Sequence, residues 1–392
     1  MTVETGMKHI FADLHIHIGR TMTGRPVKIT GSKTLTLPKI LQFAKDIKGI
    51  SMTGIIDCHV PEVISEIETM IKGGALAELQ DGGFGYGDSC LITGSEIEIN
   101  DENCSGPVHV LVYLPDMVAL KKWSSWLQER MKNYHLSSQR IYASGLEVQN
   151  KAKELGGLFI PAHVFTPFKS LYGKGVQKSL SEVFDRDKID GIELGLSADT
   201  SMAERIIELQ NYPFLTNSDA HSLEKIGREH MELSVQSVSF KELKMALRGE
   251  GGRHISANFG LDPLLGKYYE SVCAECLAVW DRERSTCLKC GCSKRIKGVS
   301  RRIEELSGTV RQSAVRPPYR HQVPLEFIPG IGPRTLDKLR IRFGNDMAVL
   351  HSADEEALKE MLSSRASASI IDARKGRLMI KAGGGGAYGR IE

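Results

Sequence analysis

Seven short apolar runs, most of them closing on histidine, aspartate or glutamate, constrain this 392-residue chain more than any other feature. They are HIFADLHIH (9–17), MTGIIDCHV (52–60), CLITGSEIEI (90–99), VHVLVYL (108–114), GLFIPAHVF (157–165), DGIELGLS (190–197) and PFLTNSDAH (213–221). Helix-like stretches separate several of them, at Leu35 to Lys48, Ser137 to Leu155 and Met202 to Leu209. Continuous apolar runs are what strands buried on both faces require. Their alternation with helices predicts an α/β fold, a parallel sheet or barrel with helices outside.

The turn-rich stretch Gly249 to Gly266 ends this pattern. A cysteine-rich segment (Val272 to Arg295), a basic helix-like piece (Val299 to Gln312), a linker with prolines (315–324) and a helical unit from Leu325 to about Met361 follow. The expected domains are therefore 1–255, 256–312 and 313–392, the last with a glycine-rich tail from Lys381 that reads as flexible. With 41% hydrophobic and 25% charged residues the chain has enough apolar surface to build a core. No apolar run reaches the roughly 18 residues that a membrane span needs. The N-terminus shows no secretory signal. Eight cysteines are too few for a disulfide scaffold. These features together predict a cytoplasmic protein. Charge is uneven. Residues 267–345 carry 16 Lys and Arg against 8 Asp and Glu, and 346–392 balance at seven each. Since the whole chain is +3, the first 266 residues carry −5. A basic middle on a mildly acidic large domain suits a polyanion-binding module joined to a metal-using enzyme.

Six of the twelve histidines fall at or near the ends of the runs. His15 and His17 end the first, Asp57 and His59 the second, Glu96 and Glu98 the third. His109 lies in the fourth, His163 in the fifth, and Asp219 and His221 end the last. Strand residues at i and i+2 point the same way, so His-x-His and Asp-x-His can each aim two ligands at one centre. Imidazole and carboxylate suit zinc, manganese or iron, and a carboxylate can bridge two ions. A pair of ions roughly 3.5–4 Å apart acidifies water and stabilises a phosphoryl displacement.

Cys273-x2-Cys276 and Cys287-x2-Cys290 offer four thiolates on two knuckles, the arrangement of a structural zinc site. Cys292 is an alternative fourth ligand. Phe327-Ile-Pro-Gly-Ile-Gly-Pro-Arg334 resembles the helix-hairpin-helix of DNA repair proteins. Gly330 and Gly332 permit a tight turn close to a phosphate. The next helix offers free N–H groups, and Arg334 and Lys338 share one face of it. The loop TPFKSLYGKGVQK (166–178) combines Phe168, Lys169, Tyr172, Lys174 and Lys178 beside the expected metal face. Tyr172 with Lys169 and Lys174 is the expected stacking and phosphate contact, and Arg20 and Arg25 could act similarly.

The order DLHIH (13–17), IDCH (56–59), GSEIE (94–98), VHV (108–110), PAH (161–163) and NSDAH (217–221) resembles the PHP (polymerase and histidinol phosphatase) superfamily over residues 8–240. That resemblance implies a distorted (β/α)7 barrel with two or three divalent ions (zinc, manganese, iron or magnesium). One ion would lie on His15, His17, Glu96 and Asp219, and a second on Glu96, His109 and His163. A third would lie on His59 and His221, and Asp57 and Glu98 would stand behind the ligands. Glu193 reads as structural. Many members carry a further histidine about six residues after His-x-His, and this chain departs from them with Thr23.

A barrel of this kind, then a zinc module and a helix-hairpin-helix, resembles the endonuclease Q family. The resemblance implies cleavage 5′ to uracil, hypoxanthine or an abasic site in double- or single-stranded DNA, with Asp219, Glu96 and His163 catalytic and the nucleoid as the place of work. Two alternatives stay open: a 3′-5′ exonuclease or small phosphoesterase, and a DNA-binding adaptor without activity.

Overall fold

The computed structural model describes residues 6–266, 268–308, 315–375, 377, 380–381 and 390–391. Seven strands close the barrel: β1 (Lys8–Ile16), β2 (Met52–Ile55), β5 (Ser89–Ile99), β6 (Val108–Leu114), β7 (Leu158–Pro161), β8 (Ile192–Glu193) and β9 (Phe214–Leu215). β1, β2 and β5 are parallel neighbours. β5, β6 and β7 pair antiparallel. Only residues 100–107 join β5 to β6, too few for the helical crossover that a parallel pair needs. Val164 N–H donates to Glu193 O, β8 pairs parallel with β9, and Ala220 N–H donates to His15 O, which returns the ring to β1.

A short hairpin, β3 (Ala77–Glu78) and β4 (Phe84–Tyr86), extends the sheet beyond β5. On the other side β10 (His230–Val235), β11 (His254–Gly260) and β14 (Tyr319–His321) continue it from the N-terminal half of β1. The expected boundary at residue 255 cuts β11, and β14 is a strand of the barrel's own sheet. Linker residues after the zinc module therefore return to the first unit before the last helices begin.

Amphipathic helices α1 (Leu37–Gln42), α2 (Pro61–Lys72), α3 (Met117–Gln128) and α4 (Gly145–Glu154) cover the outside. Val63, Ile67, Leu120, Trp123 and Val148 are wholly buried under them. The expected helix from Ser137 begins only at Ser144, whose hydroxyl caps α4 in a capping box with Glu147. Residues 137–139 are thereby free to line the cleft. Helices α5 (Thr200–Ala203) and α6 (Phe240–Arg248) complete the barrel layer.

In the cysteine segment β12 (Val272–Cys273) pairs antiparallel with β13 (Arg295–Ile296). Helix α7 (Val299–Leu306) follows and binds the barrel through Arg302, which donates to the carbonyls of Tyr172, Val176 and Gln177 at 2.7–2.9 Å. Residues 309–312 of the expected basic helix and the four glycines of the tail lie outside the described residues. Among the described residues four helices follow, α8 (Pro333–Phe343), α9 (Asp346–His351), α10 (Glu355–Met361) and α11 (Ser364–Arg374), and then β15 (Ile380–Lys381) pairs antiparallel with β16 (Arg390–Ile391). Asp346 anchors the helices to the barrel. It is buried, accepts a fork of bonds from Arg340 (2.7 and 3.0 Å) and pairs with Lys48 at 3.0 Å.

Glu229, just before β10, is fully buried, and burial pushes its carboxyl up to about 8. Its Oε1 accepts from Leu261 N–H at 2.9 Å, while Oε2 has no hydrogen-bond partner among the described residues. Between its ordinary value and about pH 8 the folded chain keeps this proton and the unfolded chain does not, so stability falls as pH rises across that window. Glu229→Gln is expected to flatten this decline and raise the melting temperature at pH 8, read by thermal melts from pH 5 to 9.

Candidate functional site

β1 delivers His15 and His17 to one side of the barrel mouth, both buried. Their Nε2 atoms lack hydrogen-bond partners. His15 Nε2 lies 3.6 Å from Glu96 Oε1 and 3.5 Å from Asp219 Oδ1. His17 Nε2 lies 3.6 Å from Glu96 Oε2 and 3.5 Å from the same Asp219 oxygen. These gaps are long for hydrogen bonds. They are close to the spacing of neighbouring ligands on one ion, about 3.4 Å for tetrahedral bonds of about 2.1 Å, and His15, His17 and Glu96 form one ligand group. Orphaned buried nitrogens at tetrahedral spacing suit an ion.

The opposite ring nitrogens are held by carboxylates. His15 Nδ1 lies 3.0 and 3.1 Å from the Glu193 oxygens, and His17 Nδ1 lies 3.2 and 3.3 Å from those of Asp57. This fixes each imidazole with its free nitrogen facing the cluster. Glu193 therefore does more than brace a strand. It also accepts from His163 N–H and the Asn217 amide, both at 2.8 Å, and so ties β8 and β9 to the site. Glu193→Gln is expected to weaken ion affinity and cleavage 10–100-fold, the usual cost of losing such a partner, read by metal titration and single-turnover rates.

A second ligand group shares Glu96. Its Oε1 lies 2.8 Å from His109 Nδ1 and 3.2 Å from His163 Nε2. His17, Asp219 and His221 form a third group that shares His17 with the first. Among the described residues His59 joins none of these groups. β2 ends at Ile55, and His59 lies four residues beyond it, in the turn before α2. It is buried with both ring nitrogens unpartnered. Burial opposes ionisation of Glu96 and Asp219, yet His109 and Lys28 beside Glu96, and His15, His17 and His221 beside Asp219, hold both carboxyls well below the usual range.

Backbone strain marks the same place. Among the described residues, five non-glycine residues hold positive φ: Ser138 (54°), His163 (30°), Lys169 (51°), Asp219 (46°) and Leu277 (56°). The first four line one cavity of about 400 Å³, together with Lys28, Glu96, His109 and His221. Such conformations cost of order 1–3 kcal/mol each and persist where the surroundings enforce them. Sequence reasoning missed Lys28, Ser137 and Ser138. Ser137 Oγ lies 3.1 Å from His17 Nδ1, and Ser138 Oγ bonds Glu96. The Ser-Ser pair in SSQR was a signal only for a cap.

The loop after His163 is partly corrected. Tyr172 is wholly buried, its ring against Phe165 at 5.6 Å and its hydroxyl donating to Glu208 at 2.8 Å. It cannot stack on a base. The exposed aromatic is Phe168, with Lys174 Nζ over its ring at 5.6 Å. Lys169 lies at the cavity with its ammonium 2.8 Å from Glu98. Arg25 is exposed and pairs with Glu62 at 2.8 Å.

Cys273, Cys276, Cys287 and Cys290 converge, with Sγ pairs 273–290 and 276–287 both 3.5 Å apart, close to the about 3.8 Å edge of a zinc–thiolate tetrahedron. Cys292 stands outside that group. In the last unit Gly330 holds φ 92°, and Gly332 precedes α8 with Pro333 at its first position. Arg334 and Lys338 are exposed on α8.

A seven-stranded α/β barrel with histidine and carboxylate groups sharing one glutamate at its mouth defines a metal-dependent enzyme of the PHP class. A family profile described as PHP-associated matches residues 199–250. The uncharacterized protein YqxK of Bacillus subtilis (strain 168) is 57% identical over 98% of this chain and 100% of its own length. The lesion-specific endonuclease PfuEndoQ from Pyrococcus furiosus superposes with a TM-score of 0.85 at 31% identity, over 98% of this chain and 95% of that one. An endonuclease Q complex with a 27-mer duplex carrying an abasic lesion at the active site gives 0.84 at 30% identity, over 98% and 96%. This chain belongs to the endonuclease Q family of metal-dependent endonucleases. No helix among the described residues is long and apolar enough to cross a membrane.

Proposed function

We propose that this protein repairs DNA by cutting the phosphodiester 5′ to a uracil, a hypoxanthine or an abasic site, leaving a 3′-hydroxyl and a 5′-phosphate. The observation that carries the reading is the pair of ligand groups joined at Glu96, in a chain similar over its whole length to an endonuclease Q bound to an abasic duplex. Two divalent ions held there, of zinc, manganese, iron or magnesium type, would acidify a water nucleophile and offset charge on the phosphate oxygens. His15, His17, Glu96 and Asp219 would hold the first, Glu96, His109 and His163 the second, and the four cysteines a structural zinc.

A damaged base must leave the duplex to be read at its paired edge. Beside His163 and Asp219 a second cavity of about 160 Å³, lined by Thr166, Gly195, Ser197 and Tyr268 among others, has the scale of a base. Gly195 holds φ 77°, and a Cβ there would lie 2.8 Å from that of His163, so the backbone runs close to the ligand. Phe168, Lys169, Lys174 and Arg25 around the mouth, and Gly330, Gly332, Arg334 and Lys338 on the last unit, would grip the DNA backbone. Removing Arg334 and Lys338 together is expected to lower the salt dependence of DNA binding by about two phosphate contacts and to weaken all sequences alike, measured by fluorescence anisotropy. With DNA as substrate, the nucleoid in the cytoplasm is its proposed place of work.

The test is cleavage of labelled oligonucleotides carrying one internal uracil, hypoxanthine or abasic site, with and without chelator. A single metal-dependent nick 5′ to the lesion is expected. A ladder of mononucleotides would favour an exonuclease, and intact DNA would favour the adaptor.

A further inference from the structure

Lys28 is a cation in this cleft that the chemistry above leaves unused. It lies on the segment that follows His17 and doubles back along it. Val27 N–H donates to Gly19 O at 3.0 Å, Lys28 N–H to Ile18 O at 2.9 Å, and Ser32 N–H to His221 O at 2.8 Å. The segment is thus tied to residues adjoining the first and last ligand motifs. The Lys28 side chain is only 14% exposed. Its ammonium lies 3.2 Å from Glu96 Oε2 and 2.6 Å from Ser138 Oγ. Ser138 holds its strained φ of 54° where its hydroxyl reaches the same carboxylate.

An ammonium has three donors. Two reach Glu96 and Ser138, and among the described residues the third has no acceptor, while the group lines the cavity that His109, His163, Asp219 and His221 share. The charges point the same way. Glu98 beside His109 is balanced by its bond to Lys169, and Glu96, Asp57, Asp219 and Glu193 place four further negative charges around the ligand imidazoles. Two divalent ions would cancel them, and Lys28 would leave one positive charge over. A phosphodiester carries one negative charge. Without Lys28 the loaded cleft would be neutral and the substrate uncompensated.

We propose that Lys28 is a catalytic residue whose ammonium contacts a non-bridging oxygen of the phosphodiester seated on the two ligand groups. This rests on the reading of the cleft as a phosphodiester site. That oxygen gains negative charge during attack, so a donor already fixed in a shielded cleft stabilises the transition state more than the ground state.

The experiment compares native full-length protein with Lys28→Met and Lys28→Arg, all loaded with the same divalent metal. Metal content is measured by mass spectrometry, affinity for inorganic phosphate by calorimetry, and single-turnover cutting on an abasic duplex. Lys28→Met is expected to keep its metal, bind phosphate about tenfold more weakly and cut about 100-fold more slowly, the usual cost of one such donor. Lys28→Arg is expected to recover most of the phosphate affinity and part of the rate. Phosphate affinity and rate of Lys28→Met within threefold of native would overturn the proposal. So would a loss of metal that matches the loss of rate, since Lys28 would then only support Glu96. If native protein leaves lesion DNA intact while Lys28→Met still weakens phosphate binding, the lesion reading falls and the phosphate contact stands.

Discussion

Glu96→Gln is expected to reduce cleavage by on the order of a thousandfold or more and to empty at least one of the cleft's ion positions. The reason is the double use of this side chain. One oxygen faces His15, His109 and His163 and the other faces His17, Lys28 and Ser138. An amide of the same shape keeps one acceptor but turns an NH2 group toward a cation. Ions in such sites contribute several kcal/mol of charge stabilisation, and each 1.36 kcal/mol is tenfold in rate. Glu98→Gln is the contrast. Glu98 lies two residues on, 3.7 Å from His109 Nε2 and bonded to Lys169, outside the ligand groups. Its loss is expected to cost less than tenfold. Metal content and single-turnover rates decide. A Glu96→Gln protein cutting within tenfold of native would mean the carboxylate is not shared between ions.

Cys276→Ala is expected to unfold the zinc module and lower DNA affinity by at least tenfold while the barrel keeps its own ions. The module has almost no core of its own. Its buried cluster is Cys273, Trp280 and Cys287, so two of the three members are themselves ligands. Binding free energies of about 10–16 kcal/mol for structural zinc mean that such segments fold only with the ion. Trp280 supplies the readout, being 5% exposed with its indole N–H donating to Arg284 O at 3.1 Å. Its emission should shift red in the variant, and zinc content should fall by one per chain. DNA affinity unchanged after zinc loss would remove this module from the nucleic-acid surface.

The ligand types were legible because His15, Glu96 and His109 stand on strands and His17 and His163 stand one and two residues past strand ends. His15 and His17 share a side through the two-residue repeat, and parallel strand ends meet at one mouth. That logic stops where strands stop. His59 lies four residues beyond β2 and Asp219 four beyond β9, both past the reach of the repeat. Lys28, Ser137 and Ser138 lie in loops, and nothing local reveals that hydrogen bonds from distant strands turn them toward Glu96. Glu193 looked structural because it stands on another strand, yet the closed barrel lets its carboxylate reach from β8 to the His15 imidazole of β1. In 166–178 the composition announced aromatic and basic residues but not which ring turns inward. Tyr172 found Glu208 and a core position, and Phe168 kept the surface. The barrel itself followed from apolar runs, whereas the antiparallel turn of β6 followed from linker length, a cue present in the sequence and outweighed by the repeating pattern. The return of β14 to the sheet had no signal in the proline-containing linker (315–324) that holds it.

The most direct measurement is anomalous diffraction from crystals of the metal-loaded protein. Two peaks are expected at the barrel mouth, one among His15, His17, Glu96 and Asp219 and one among Glu96, His109 and His163, with Glu96 touching both, and a separate zinc peak among the four cysteines. A mouth without density at saturating metal, or ions bound only away from Glu96, would contradict the account.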